Sequence, residues 1–345
     1  MDWRIADPVL RLLPRRFHVP PLGATPHEVL VTAGRSRLLR YTPAKAPFHR
    51  TPVLLVPSLV NRHTILDLVQ GRSVAAHLRD AGFPTYLVDW GAPGPEDATT
   101  TLDDLLFDRL DTMVRRLRRD HGGPVTLVGY CMGGTLALVY ASRRPEAVRN
   151  LILLATPVDF DHLGLLTRWA RFEGFDVDDT VDTWGVVPPK IFQPGFVLLR
   201  PAVLTRKWVP FIQFATRPAL LQAYLPLFRW ATENVALPGE VLRAWVRDYF
   251  RRNGLVRGTL RADGAPVDLR ALRAAVLNVI ASEDHIVETA SPLALAGLLA
   301  PNHDASILEF PMGHTDLTVG PEAMGLVWPQ ITTWLTDRDG PQEDE

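Results

Sequence analysis

Between Pro52 and about Pro157, short apolar runs alternate with helical patterns. Val53-Leu54-Leu55-Val56, Thr85-Tyr86-Leu87-Val88, Val125-Thr126-Leu127-Val128 and Leu151-Ile152-Leu153-Leu154 predict buried strands. Ser73 to Ala81 and residues 134–143 predict helices. Leu102, Leu106, Leu110, Met113 and Leu117 recur at helical spacing, with acids early and arginines late, which suits both an amphipathic face and the helix dipole. Strands apolar on both faces, alternating with helices, predict a mostly parallel sheet covered on both sides. The rhythm fails between about Asp159 and Asp268, where Trp169, Trp184, Trp208, Trp230 and Trp245 are scattered among prolines. It returns with a strand over Ala275–Ile280, a helix near Pro292 to Leu299, a strand over Ser306–Phe310 and a last helix ending near Trp334. The expected organisation is a first part of an α/β core over 1–158, an inserted cap over 159–268, a second part of the core over 269–337 and a flexible tail over 338–345, with the charged run from Asp337 to Glu345 fraying.

Composition narrows the class. The 345 residues are 47% hydrophobic and 22% charged, enough apolar material for a core and unlike a disordered, collagenous or disulfide-stapled chain. A formal charge of −1 gives no electrostatic footprint for a nucleic-acid backbone. The start, Met1-Asp2-Trp3-Arg4-Ile5-Ala6-Asp7-Pro8, has acids and no apolar core of a secretory signal, so a cytoplasmic location is expected. Gly122 to Ser142 is uncharged and long enough to span a bilayer. Pro124, Gly129, Gly133 and Gly134 interrupt it, however, and strand, turn and helix describe it better, so no transmembrane span is expected.

Cys131 is the one cysteine, so neither an internal disulfide nor a cysteine-based zinc site is available. It stands in Gly129-Tyr130-Cys131-Met132-Gly133-Gly134, between a predicted strand and a predicted helix, where G-x-C-x-G has the context of a nucleophile elbow with sulfur in place of the usual serine oxygen. The Met132 amide, at the helix N-terminus, would face a developing oxyanion. Elbow enzymes order nucleophile, acid and base along the chain, the last two at later strand ends. Asp284 follows the strand 275–280 and His314 follows the strand 306–310, in that order. Singly, Cys131 reads as a small buried side chain, Asp284 as a turn cap with Glu283 as a rival acid, and His314 as a loop histidine; His285 and His303 are the other histidines near strand ends. Order and placement together favour the triad. The second oxyanion donor is expected after the first strong strand, from Leu59 or Val60.

These residues resemble the polyhydroxyalkanoate synthases over nearly the whole chain. The resemblance rests, in order, on Leu59-Val60-Asn61-Arg62, Ile65-Leu66-Asp67-Leu68, Val88-Asp89-Trp90-Gly91, the Cys131 elbow, Thr156-Pro157-Val158-Asp159-Phe160, Asp248-Tyr249-Phe250, Asn253-Gly254-Leu255, Val267-Asp268-Leu269 and Glu283-Asp284-His285-Ile286-Val287. The Asp-Trp-Gly form and short N-terminus are most similar to the catalytic subunit of the two-subunit classes. Two stretches depart from the pattern: Met312-Gly313-His314-Thr315-Asp316, where Gly-Gly-His followed by Ile or Val and Gly is usual, and residues 226–239, where a Met-Glu-Lys-Trp-like segment is typical.

The resemblance implies an α/β-hydrolase fold and an acyltransferase that polymerises 3-hydroxyacyl-CoA, with 3-hydroxybutyryl-CoA the expected substrate, through a thioester on Cys131. It further implies Asn61, His285 and Tyr130 around the substrate, and no cofactor or metal, CoA being a leaving group. A smaller synthase subunit, a homodimer through the cap and a place on polyester granules are implied as well. Two other readings share the scaffold: an esterase, thioesterase or depolymerase in which water takes the acyl group, and a non-catalytic granule-associated binding protein.

Overall fold

The computed structural model describes residues 20–43, 45–191 and 218–339. The N-terminal residues read above, Trp208 and the tail over 340–345 lie outside them. Eight strands of the described residues form one sheet: β1 (His27–Ala33), β2 (Ser36–Tyr41), β3 (Val53–Val56), β4 (Thr85–Asp89), β5 (Val125–Tyr130), β6 (Val148–Leu154), β7 (Ala275–Ala281) and β8 (Ala305–Phe310). Their order is β1-β2-β4-β3-β5-β6-β7-β8. The pairs β1/β2 and β2/β4 are antiparallel, and from β4 to β8 every pair is parallel.

The register explains why the strands are apolar throughout. Leu87, Leu55, Val128, Ile152 and Leu277 form one row across five strands. All five are fully buried on the face covered by α1 (Val74–Asp80) and by the C-terminal helix. Their neighbours Leu54, Leu127, Leu151 and Val276 point to the other face. There the cover is the helical stretch that opens with a wide turn over Asp104–Leu110 and continues as α2 (Asp111–His121), together with α3 (Met132–Arg143). The uncharged 122–142 stretch divides into β5, a turn and α3, and no helix among the described residues is long and apolar enough to cross a membrane.

Between β6 and β7 come α4 (Gly164–Ala170), α5 (Val177–Trp184), α6 (Pro218–Thr232) and α7 (Gly239–Ala244). This segment shares the second core: the ring of Phe160 lies 5.5 Å from that of Trp245 and 5.2 Å from that of Phe250. Asn253, at φ 47, is buried and accepts from the Phe160 amide at 3.1 Å while donating to Asp159 at 2.7 Å, so the end of the segment is tied to its beginning.

Two expectations change. The hairpin β1/β2 was not anticipated; β1 lies at the sheet edge, largely exposed, and its apolar run Val29-Leu30-Val31 is only three residues long. The final helix, α8 (Trp328–Asp339), runs beyond Trp334 and takes in Asp337 to Asp339, which are therefore not a frayed tail. The reason is Asp339: it is buried and accepts from the Arg50 and Thr51 amides, both at 2.9 Å, and pairs with His49 at 3.0 Å.

Candidate active site

Cys131 occupies the turn between β5 and α3 with φ 54 and ψ −126, a conformation that costs a side-chain-bearing residue about 1–3 kcal/mol. The close packing around the turn over-determines it. A Cβ on Gly129 would stand 2.4 Å from the Gly134 Cα, and one on Gly133 would stand 2.2 Å from the Val56 carbonyl oxygen. The glycines therefore let α3 start against β3 and push the Cys131 side chain out of the fold. Its thiol is half-buried.

Because β5, β7 and β8 run parallel, the residues that follow them gather at one rim. His314 Nδ1 lies 2.5 Å from Asp284 Oδ2, and both side chains are buried. The other carboxylate oxygen accepts from the Ile286 amide at 2.7 Å and the Val287 amide at 3.0 Å. Burial works against the Asp284 charge, but His314 and these two amides outweigh it and hold the carboxyl below its usual range. Burial also works against a charged His314 ring; Asp284, and after it Cys131, outweigh that and push its pKa up to about 10. Cys131 and His314 line the same cavity. Cys131, His314 and Asp284 thus gather at one rim of the sheet.

The rivals separate by placement. Glu283 is exposed, and its amide donates to the Met312 carbonyl at 3.1 Å. His303 lies at the opposite rim, before β8, with Nε2 2.9 Å from the Ala274 carbonyl, so it has no access to the Cys131 site. His285 is exposed and lines the cavity described next.

A cavity of about 790 Å³ opens over Cys131 and His314. Its wall is mostly apolar, with the aromatic rings of Phe160, Trp169, Phe175, Trp230, Trp245 and Phe250 contributing. Asn61 and Tyr130 line it as well. The Tyr130 ring lies 5.2 Å from that of His314, and burial, then the nearby acidic groups, pushes its phenol well above the ordinary value. Met132 is the first residue of α3 and lines the cavity with its amide end toward Cys131's turn. Of the two candidates after β3, Val60 lines the cavity, whereas the Leu59 side chain is packed into the core. Asn234, which the sequence reading did not single out, also lines the cavity and accepts a hydrogen bond from Asn61 Nδ2. It sits in the 226–239 stretch that departs from the family pattern, so no motif marked it. Among the described residues no three His, Cys, Asp or Glu side chains converge to hold a metal ion.

Comparison with known proteins agrees with this geometry. Residues 51–321 match the alpha/beta hydrolase fold family, and residues 15–78 match the N-terminus of poly-beta-hydroxybutyrate polymerase. In solved structures, the fold is similar to that of a monoacylglycerol lipase from Paleococcus ferrophilus, with a TM-score of 0.50 at 17% identity, covering 85% of this chain and 96% of that one. It is similar also to the metagenome-derived lipolytic enzymes LipS and LipT, with a TM-score of 0.53 at 12% identity, covering 89% and 100%. In sequence the chain is 35% identical over 321 residues to the poly(3-hydroxyalkanoate) polymerase subunit PhaC of Allochromatium vinosum, covering 92% of this chain and 90% of that one. It is 33% identical over 330 residues to the protein of the same name from Haloferax mediterranei, covering 94% of this chain and 66% of that one. The Synechocystis protein of that name is 34% identical, with 92% and 86% covered. The chain belongs to the poly(3-hydroxyalkanoate) polymerase PhaC family, built on the alpha/beta hydrolase fold.

Proposed function

We propose that this chain polymerises 3-hydroxyacyl-CoA, 3-hydroxybutyryl-CoA in the first place, through a thioester on Cys131. The observation that carries the reading is the chain's only thiol, on a strained elbow, beside a buried His314–Asp284 pair at the floor of an apolar cavity. Sulfur suits the reaction. Exchanging the CoA thioester for a Cys131 thioester conserves the activation of the acyl group.

In the first half-reaction the Cys131 proton passes to His314, Sγ attacks the thioester carbonyl, and the oxyanion is met by the Met132 and Val60 amides. Collapse expels CoA, whose sulfur takes the proton back from His314. With its proton passed to CoA, His314 is free to take one from the hydroxyl of a second 3-hydroxyacyl-CoA. That oxygen attacks the Cys131 thioester, forms an ester, and returns sulfur and imidazole to their starting states, with the lengthened chain on CoA for the next transfer. Water would end the chain at this stage, which accounts for an aromatic cavity walled by the segment 159–268 acting as a cap.

The assembly expected from the resemblance belongs to the same proposal. Relatives named as subunits support a smaller partner subunit. Exposed Phe172, Trp184, Tyr224 and Phe228 on the cap support self-association there, and a polyester granule in the cytoplasm is the corresponding location. Incubation of the purified chain with 3-hydroxybutyryl-CoA, scoring CoA release and product size, tests the reaction. Polymer is expected. Free 3-hydroxybutyrate in step with CoA, and no polymer, would overturn it in favour of hydrolysis; no CoA release and an inert Cys131 would leave a binding role.

A further inference from the structure

The loop that leaves β3 is held from two sides. From the core, the indole N–H of Trp90 donates to the Pro57 carbonyl at 3.0 Å. From the cap, three hydrogen bonds fall on three successive residues. The Val235 amide donates to the Val60 carbonyl at 3.2 Å, Asn61 Nδ2 donates to Asn234 Oδ1, and the indole N–H of Trp230 donates to the Arg62 carbonyl at 2.8 Å. Asn61 and Asn234 also pair as an antiparallel β-bridge. Asn234 is anchored to the end of α6, since its Nδ2 donates to the Ala231 carbonyl at 3.1 Å. Trp230 is buried, so withdrawal of the cap from the loop would strip its indole N–H of this partner. The Val60 amide itself makes only a long 3.5 Å contact with Ser58 Oγ and is left available to a substrate oxygen.

We infer that residues 230–235, with Asn234 as the central positioning residue, set the second oxyanion donor, so that Cys131 can be acylated efficiently only while the cap is docked on the β3 loop. An oxyanion donor acts at about 2.7–3.1 Å from the developing charge, and a misplacement of about 1 Å at a reacting centre costs about a hundredfold in rate. Fixing the Val60 carbonyl and the Asn61 side chain from the cap, and the Pro57 carbonyl from the core, brackets the Val60 amide within that tolerance. The coupling has a use in polymerisation. When the cap lifts to admit the next CoA thioester, water enters too, but the donor that would help it attack the acyl-enzyme has moved away.

The inference takes its purpose from the proposed polymerase reaction, while the coupling itself holds for any acyl transfer to Cys131. Two acyl donors therefore separate them: 3-hydroxybutyryl-CoA and p-nitrophenyl butyrate, each read as the single-turnover acylation rate of Cys131. Iodoacetamide alkylation of Cys131 is the control, because it needs the thiolate but no oxyanion donor. Asn234→Ala is expected to acylate about 10- to 100-fold more slowly with either donor, with KM changed by less than about threefold and alkylation at the wild-type rate. Asn234→Asp keeps the acceptor for Asn61 but loses the Nδ2 donor to the Ala231 carbonyl, and is expected to recover only part of the loss. The double variant Asn61→Ala/Asn234→Ala should be no slower than the worse single. Trp230→Phe, which removes the indole N–H with the five-membered ring that carries it, gives an independent measure, with a several-fold loss expected. Acylation at the wild-type rate in Asn234→Ala and Trp230→Phe overturns the inference, as does alkylation slowed as much as acylation. If the variants show the pattern with the ester while the wild type ignores the CoA thioester, the coupling stands and the polymerase reading falls; a wild type inert to both sinks both.

Discussion

Cys131 bears a strained backbone and lines the cavity, and the proposed reaction asks it also to trade protons with His314. Removing the sulfur removes all chemistry: Cys131→Ala should show no turnover, and radiolabelled acyl group should remain on wild-type Cys131 after denaturation. Cys131→Ser is expected to be severely impaired, because an oxygen ester is a less activated intermediate; full activity in Cys131→Ala would refute the assignment. The acid is tested against its neighbour. Asp284→Asn loses the acceptor that orients the His314 tautomer and should cost about a hundredfold or more in kcat, whereas Glu283→Gln, exposed and turned away, should be mild. The same pair makes a stability statement. The His314 pKa is raised from 6.5 to about 10, so its contribution is fully present below about pH 6.5 and is lost as pH rises through about 10. The Asp284 pKa is depressed, and the same ion pair is lost from the other side as pH falls through that lowered value. Thermal melts between pH 7 and pH 10 should therefore show the wild type losing more stability than His314→Gln. Equal losses would mean that the ion pair does not form. At this scale the candidate triad could be named from a local motif and chain order, and the structure places its three side chains at one rim. The choice between Asp284 and Glu283, adjacent in sequence, was left to burial, and the choice between Leu59 and Val60 to which of them faces the cavity.

Elements that are apolar over a short run, or periodic over a long one, were readable without coordinates: β3 to β8 and the helical stretch ending in α2 fall where the pattern puts them. Pattern reading fails where an element is defined by a partner far away in sequence. β1 is recognisable only by its antiparallel register with β2, and the last turn of α8 only by the clamp of Asp339 on His49, Arg50 and Thr51, nearly 290 positions earlier. The elbow is the element whose tolerance is most sharply defined. A Cβ at Gly133 meets two backbone oxygens, those of Val56 at 2.2 Å and Pro57 at 2.5 Å, and neither can swing aside as a side chain could. Gly133→Ala must therefore shift the start of α3 away from the β3 loop. It is expected to cost about 1–3 kcal/mol in urea denaturation and, because the two oxyanion elements part, to lose acylation out of proportion to that stability loss. A variant with wild-type acylation and stability would show that the contact between α3 and the β3 loop is not needed.

At the scale of the whole molecule, the sheet supplies a rim for Cys131, Asp284 and His314, and the segment between β6 and β7 roofs the cavity, which the proposed reaction requires to open for a CoA thioester. A roof of this composition carries a solubility problem. Tyr224 is 52% exposed, on the same segment as Trp184 and Phe228, and Phe172, 64% exposed, also lines the cavity with the aromatic residues beneath it. Apolar side chains on a mobile lid gain by burial against another molecule, and the available partners are a second copy, a smaller synthase subunit and the polyester itself. The purified chain is therefore expected to associate through this surface, and Tyr224→Glu with Phe228→Glu to shift it toward monomer in light scattering without changing the alkylation rate of Cys131. Activity should be low in the isolated chain, with a lag in CoA release that shortens as protein concentration rises or when the cognate small subunit is added, because association holds the cap in a productive position. A strictly monomeric wild type that polymerises at full rate with no lag would show that the cap opens and closes unaided, and would move the function of those exposed aromatic residues from assembly to contact with the growing polymer.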